Sequence, residues 1–385
     1  MIKKLFLPLL ACFCSSPVCS QTTAAQDDNI KLLVGTYTEG GNSQGVYLFN
    51  FNQSTGTYQL VSGAEAHNPS FITLSKDKKH VYAVSEYNDG RQGIYSFRLD
   101  EDKNQLTNPV FLKNYTETKD KADDKKTGGD PCHIRQVGHH VITANYTGGS
   151  MSVAELTDKG ELKELKKVFS FQNKASEKVS HIHCIIPSPD GLHLFATDLG
   201  MDCIYRFDAH PEAQGTTNQV IDNIKMAYRG KQGSGPRHLT FHPNGKYAYL
   251  INELNGEAVV FAYQGGELKE VQTIMADEGK GGGSADIHVS PDGRFLYASH
   301  RLKKDGLSIF TIDTTTGKIT KVGYQKTAKH PRNFNITPNG QFLLVAGRDN
   351  NVIEIFKRNE QTGKLKKIKK GIAVSKPVCV EFLTL

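Results

Sequence analysis

Apolar and polar positions along the chain alternate in short runs rather than along helical faces, and one run keeps returning. It reads LLVGTY from Leu32, VYAVSE from Val81, VITANY from Val141, LFATDL from Leu194, AYLINE from Ala248, LYASHR from Leu296 and LLVAGR from Leu343. The spacings are 49, 60, 53, 54, 48 and 47 residues. An amphipathic helix needs apolar residues three and four apart over ten or more positions, and that period is nowhere sustained. Seven units of about fifty residues, each with room for four short strands, predict an all-β fold, a seven-bladed β-propeller.

Within the units the turns repeat as well. Pro189-Asp190-Gly191, Pro243-Asn244-Gly245, Pro291-Asp292-Gly293 and Pro338-Asn339-Gly340 stand between apolar runs. Pro presets φ and Gly accepts positive φ, so each reads as a hairpin turn. A further strand alternates as GVYLFNF from Gly45, GIYSFRL from Gly93 and CIYRFDA from Cys203. Counting back seven residues from each turn proline places entry strands at Ile182, Pro236, Ser284 and Pro331, and analogy places two more at Pro69 and Pro131, where the turn has diverged. The first unit lacks one, while the chain ends in a strand-like segment from Lys376 to Leu385 with nothing after it. The C-terminal segment is therefore expected to complete the first blade and close the ring, removing the open sheet edges.

Composition narrows the class. Of 385 residues 38% are hydrophobic and 23% charged, enough for a sizeable core and unlike a disordered or collagen-like chain. The formal charge of +7 is scattered, the densest basic run being Lys364 to Lys370, so nucleic acid is not an expected partner. Lys3 and Lys4 precede an apolar run from Leu5 to Cys14, and Val18-Cys19-Ser20 ends a segment that reads as a secretory signal over residues 1–20. That leaves a short linker at 21–30 and the propeller at 31–385, with an exported, periplasmic location expected. The competing reading, a lipoprotein cleaved before Cys12, leaves only Leu5 to Leu10 as its apolar core. No run approaches about 18 apolar residues, so no integral membrane segment is expected. Cys132, Cys184, Cys203 and Cys379 remain after cleavage; they include no C-x-x-C pair and are too few for a disulfide framework. The expected assembly is a monomer.

In a propeller the innermost strands line the axis. Aligned on their starts, the second positions of the entry strands read Ser70, Cys132, His183, Arg237, Ala285, Arg332 and Val378. The third positions read Phe71, His133, Cys184, His238, Asp286, Asn333 and Cys379. The ends of the strands that follow add Glu86, Asp198, Glu253, Arg301 and Arg348. Such a ring of Arg, His and carboxylates suits ester chemistry: His183 or Glu253 as a base for water, Arg237 as positive charge where an oxyanion forms. Arg332 and Arg301, with His133, His238 and Asp286, are the candidate substrate-binding groups, Arg332 being expected to favour an anionic small molecule, and Asp286, Asp198 and Glu253 are the expected internal partners of the arginines. No cofactor is required.

Gly233-Ser-Gly-Pro-Arg-His-Leu-Thr-Phe-His-Pro-Asn-Gly and Ile251-Asn-Glu-Leu254, Asn145-Tyr-Thr-Gly-Gly-Ser150, Asp198-Leu-Gly-Met-Asp202 and Ser290-Pro-Asp-Gly-Arg294 through Arg301 resemble motifs of the seven-bladed lactonases of the 6-phosphogluconolactonase type. That family is related to the carboxy-muconate lactonising enzyme, and the resemblance runs from Leu32 to Phe382. It implies a sugar-lactone hydrolase in which a His, a Glu and Arg residues act at the channel mouth. By motif the His is His183, the Glu is Glu253, and the first Arg is Arg237. The further Arg is Arg332 or Arg301; at the latter the usual Asn-Arg is replaced by His300-Arg301.

Other motifs carry less. Gly41-Asn-Ser-Gln-Gly45 matches G-x-S-x-G, but a nucleophile elbow needs a helix after it and here a strand follows. His181 and His183 sit two apart as zinc ligands would, with no third ligand indicated, and no metal is expected. The alternative to a small-molecule hydrolase is a non-catalytic propeller that binds a sugar acid or a partner protein.

Overall fold

The computed structural model describes residues 28–100, 102–116, 127–173, 177–213, 220–368 and 370–383. The segment expected to be a secretory signal, residues 1–20, lies outside the described residues. Seven antiparallel sheets follow one another along the chain, six of four strands and one of five. Numbered in chain order as blades 1 to 7, their innermost strands are Pro377–Leu383, Ile72–Leu74, Pro131–Val137, Ile182–Pro187, Pro236–Phe241, Ser284–Val289 and Pro331–Ile336. The recurrent apolar run forms the second strand of every blade, from Asn29–Thr36 to Phe342–Gly347. These strands are almost wholly buried because blades pack on both of their faces.

Closure occurs as the sequence predicts. Pro377–Leu383 pairs antiparallel with Asn29–Thr36, Leu33 opposite Glu381 and Val34 opposite Val380. The first strand begins earlier than the 21–30 linker boundary suggests, since Asn29 and Ile30 already pair with Asn52 and Phe51, and Ile30 is buried. In blade 2 the inner strand is shorter than expected. Pairing starts at Ile72, because Ser70 N–H turns back to the carbonyl of Asn68, which has φ 43°. The turn glycines behave as their type requires, with φ near 70° at Gly191, Gly245, Gly293 and Gly340. Gly45 of the G-x-S-x-G match opens the strand Gly45–Asn52, so Ser43 belongs to a turn, its hydroxyl 2.6 Å from that of Thr36.

One irregularity positions the axial side chains. In blades 1, 3, 4, 5, 6 and 7 the ladder between the first two strands slips at the start of the inner strand. In blade 5, Pro236 faces Asn252 and His238 faces Ile251, leaving Arg237 without an opposite number. His183 is bypassed in the same way between Ile182 and Cys184, as are Cys132 and Arg332. A bulge of this kind bends the strand and re-aims the extra residue. The bypassed residues are the second positions of the aligned ring, joined in blade 6 by Asp286 of the third.

Candidate active site at the channel mouth

Glu253, directly after the second strand of blade 5, is the hub of the mouth. Its Oε2 accepts from Arg237 Nε at 2.8 Å and its Oε1 from Arg301 Nη2 at 3.0 Å. Arg237 is 1% exposed, and its Nη1 donates to the carbonyl of Ala285 in the next blade. Arg301 is locked further by Nε to the carbonyl of Gly283 at 3.1 Å, with Nη1 3.3 Å from His330 Nε2. Burial acts to raise the Glu253 carboxyl, but the guanidinium groups of Arg237, Arg301 and Arg332 overcome it and hold the group below its ordinary range. Burial and then the neighbouring Arg237 push Arg301 down to about 9, so it stays charged at neutral pH.

A second ion pair lies across the mouth. Arg332 Nη2 is 3.4 Å from Glu86 Oε2, and its guanidinium lies 5.6 Å from the centre of the Tyr37 ring. Glu86 also accepts from Tyr37 Oη at 2.8 Å and from the Ser70 hydroxyl. Three guanidinium groups therefore face two carboxylates, leaving one positive charge uncompensated.

His183 stands beside this cluster, buried, with Tyr146 packed edge-on at 5.5 Å between ring centres. Burial, then Arg237, His238, Arg332 and Arg301, hold its imidazole well below the usual histidine range, so it is neutral. Its Nδ1 is buried without a hydrogen-bond partner. A neutral imidazole can accept a proton, and the fixed positive charge beside it can stabilise an oxyanion that forms nearby. His181 turns elsewhere: it stacks on Tyr146 at 4.4 Å, and its Nδ1 is 2.9 Å from the Tyr146 carbonyl oxygen.

Several expectations change. Asp198 is not a partner of the arginines; its carboxylate accepts from Ser180 Oγ at 2.5 Å, His181 N–H at 2.9 Å and Met201 N–H at 3.0 Å, shaping the loop before His183. It is the fifth residue of its repeat, whereas Glu86, Glu253 and Arg301 are the sixth, and one step along a strand reverses the side-chain direction. Asp286 pairs with histidines, not arginines. As substrate-binding candidates, His133, His238 and Asp286 are all buried in the third-position layer. There His133 lies over Phe71 at 4.1 Å, its Nδ1 accepting from Ile185 N–H at 3.4 Å. Arg348 leaves the axis, its Nε bonded to Asp349 at 2.6 Å. His300 is a buried bracket, Nδ1 2.8 Å from Ser284 Oγ and Nε2 3.0 Å from Ser308 Oγ. The four cysteines are buried and free.

Tyr37 and Tyr146 are members of the mouth that the residue-type search passes over. Their signal was available, since both are the sixth residue of their repeat, in register with Glu86, Glu253 and Arg301.

The family described as lactonase, 7-bladed β-propeller, matches residues 31–382. A 6-phosphogluconolactonase of Formosa agariphila is 37% identical over 366 residues, covering 92% of this chain and 99% of that protein. The structure of a periplasmic gluconolactonase from Pseudomonas aeruginosa superposes with a TM-score of 0.81 at 29% identity, over 92% of this chain and 99% of that one. A candidate 6-phosphogluconolactonase from Bacteroides fragilis gives a TM-score of 0.85 at 43% identity, over 94% and 99% of the two chains. Repeat, ring closure and family match span the same residues, and the chain belongs to the seven-bladed β-propeller lactonases.

Proposed function

We propose that the protein is an exported hydrolase that opens the ring of a sugar lactone at the mouth around His183, Arg237, Glu253, Arg301 and Arg332. The observation that carries this reading is the Glu253 carboxylate bridging two buried guanidinium groups beside a neutral, uncommitted His183. His183 takes the proton from the attacking water. Arg237 and Arg332 supply positive charge as the carbonyl oxygen becomes an oxyanion. Glu253 holds the arginines in place, with both carboxylate oxygens committed to them.

The charge balance also bears on substrate. One uncompensated positive charge matches the single negative charge that develops on a neutral lactone, whereas a phosphate dianion would leave the mouth negative. An unphosphorylated aldonolactone therefore fits better than a phosphorylated one, in keeping with an export signal and with a relative named as a periplasmic gluconolactonase. The test is acid release from δ-gluconolactone and from 6-phosphogluconolactone, each against its spontaneous rate. Acceleration of the first, lost in His183→Gln, is expected; no acceleration of either would leave the reading without support and favour a binding propeller.

A further inference from the structure

Behind the mouth, the channel holds a chain of polar groups that the proposed hydrolysis has not yet used. Asp286, 2% exposed, is its centre. Its Oδ1 accepts from His238 Nδ1 at 2.7 Å and from the N–H of Ile287 at 2.9 Å. Its Oδ2 accepts from His288 Nε2 at 3.0 Å and Asn333 Nδ2 at 2.6 Å. With the proton of His238 committed at Nδ1, its Nε2 is an acceptor. That nitrogen is buried with no partner, as is Nδ1 of His183, and the two rings are 5.2 Å apart between centres. Two buried, uncommitted imidazole nitrogens on rings this close point to a shared water.

We propose that His238, backed by Asp286, is the proton store behind His183, reached through one bridging water. This rests on His183 being the base of the proposed hydrolysis. Water's oxygen bonds to the lactone carbonyl carbon while its O–H breaks and the proton passes to Nε2 of His183. His183 releases its Nδ1 proton through the bridging water to Nε2 of His238. When the tetrahedral intermediate collapses and the ring C–O bond breaks, the proton returns along the same path to the departing alkoxide oxygen. The product is the hydroxy acid, and no redox change occurs.

The electrostatics favour this placement. An imidazolium at His183 would stand against Arg237, Arg301 and Arg332, whereas one at His238 would rest on the Asp286 carboxylate, which it shares with His288. The groups facing His238 are Arg237 on its own strand, His183 of blade 4, His133 of blade 3 and Phe71 just before the inner strand of blade 2, and Asp286 with His288 behind it. Burial and Arg237 lower His238, but Asp286 resists, and the group settles at about 4 while His183 lies well below its usual value.

The experiment compares wild type, His183→Gln, His238→Gln and Asp286→Asn on δ-gluconolactone, with melting followed in parallel. His238→Gln and Asp286→Asn are expected to lower kcat about 10²-fold, the scale of a positioned proton-transfer group, with KM within about threefold. Loss of the carboxylate lowers the affinity of His238 for protons, so the acid limb of kcat moves to lower pH in Asp286→Asn; a merely structural Asp286 would lower the melting temperature and leave the limb in place. Should either variant fail to fold, the wild-type rate in H2O and D2O mixtures decides, a bowed dependence supporting two protons in flight and a straight line overturning the relay. A folded His238→Gln with kcat within about threefold of wild type overturns it too, while loss in His183→Gln alone leaves the lactonase reading standing.

Discussion

Replacing Glu253 by Gln separates the two roles open to this residue. The side chain keeps its shape, but the amide places one oxygen and one NH2 where two carboxylate oxygens received Arg237 and Arg301. One guanidinium must then face another donor, and two cations that are 1% and 5% exposed lose their shared anion. Breaking a buried ion pair by removing one partner costs about 3 to 5 kcal/mol, and the partial opening of Glu253 to solvent argues for about 3. At about 2 °C per kcal/mol for a large domain, the melting temperature should fall by about 6 °C at pH 7. The sign with pH follows from the depressed carboxyl. Its stabilisation is present above the unfolded value near 4.5 and is lost as pH falls through the lower folded value, so the gap between wild type and variant should narrow below pH 4.5. Calorimetric melts at pH 7 and pH 3.5, with acid-release assays on the same samples, test this. KM should rise along with the loss of kcat, because the arginines are displaced. A melting temperature within about 1 °C of wild type at pH 7, with kcat reduced 10²-fold or more, would show instead that Glu253 is the base and that its pairing is energetically idle.

Deleting the chain from Pro377 onward should abolish cooperative melting, because the first blade loses the inner strand bearing the buried Val378, Cys379 and Val380; a truncated chain melting near the full-length temperature would contradict closure. Arg332→Lys should weaken binding of gluconate and of a neutral analogue to the same extent by calorimetry, since the paired Arg332 shapes the mouth through Glu86 and Tyr37; selective loss of the anion would make it an anion clamp. Mass spectrometry of exported protein should find Gln21 as the first residue, and an acylated Cys12 would refute that cleavage.

The architecture was legible because each blade solves the same local problem. Six-residue apolar runs, Pro-Asp-Gly or Pro-Asn-Gly turns and an orphan C-terminal strand specify seven sheets and their closure through short-range stereochemistry and burial, and the aligned second and sixth positions already gathered His183, Arg237, Glu253, Arg301 and Arg332. Partnership among those groups was legible only in part, since Glu253 was an expected partner of the arginines and Glu86 was not. Arg301 reaches Glu253 across 48 positions and Arg332 reaches Glu86 across 246, distances over which sequence spacing says nothing about separation. The repeated bulge was equally hidden, because a slip in a ladder is a property of two strands and of the crowding at the axis, not of either strand alone. Charge pairing is decided by whichever groups the closed ring brings within a few ångströms, so only the tertiary structure could give Asp198 to a loop, Asp286 to the histidines and Glu86 to Arg332.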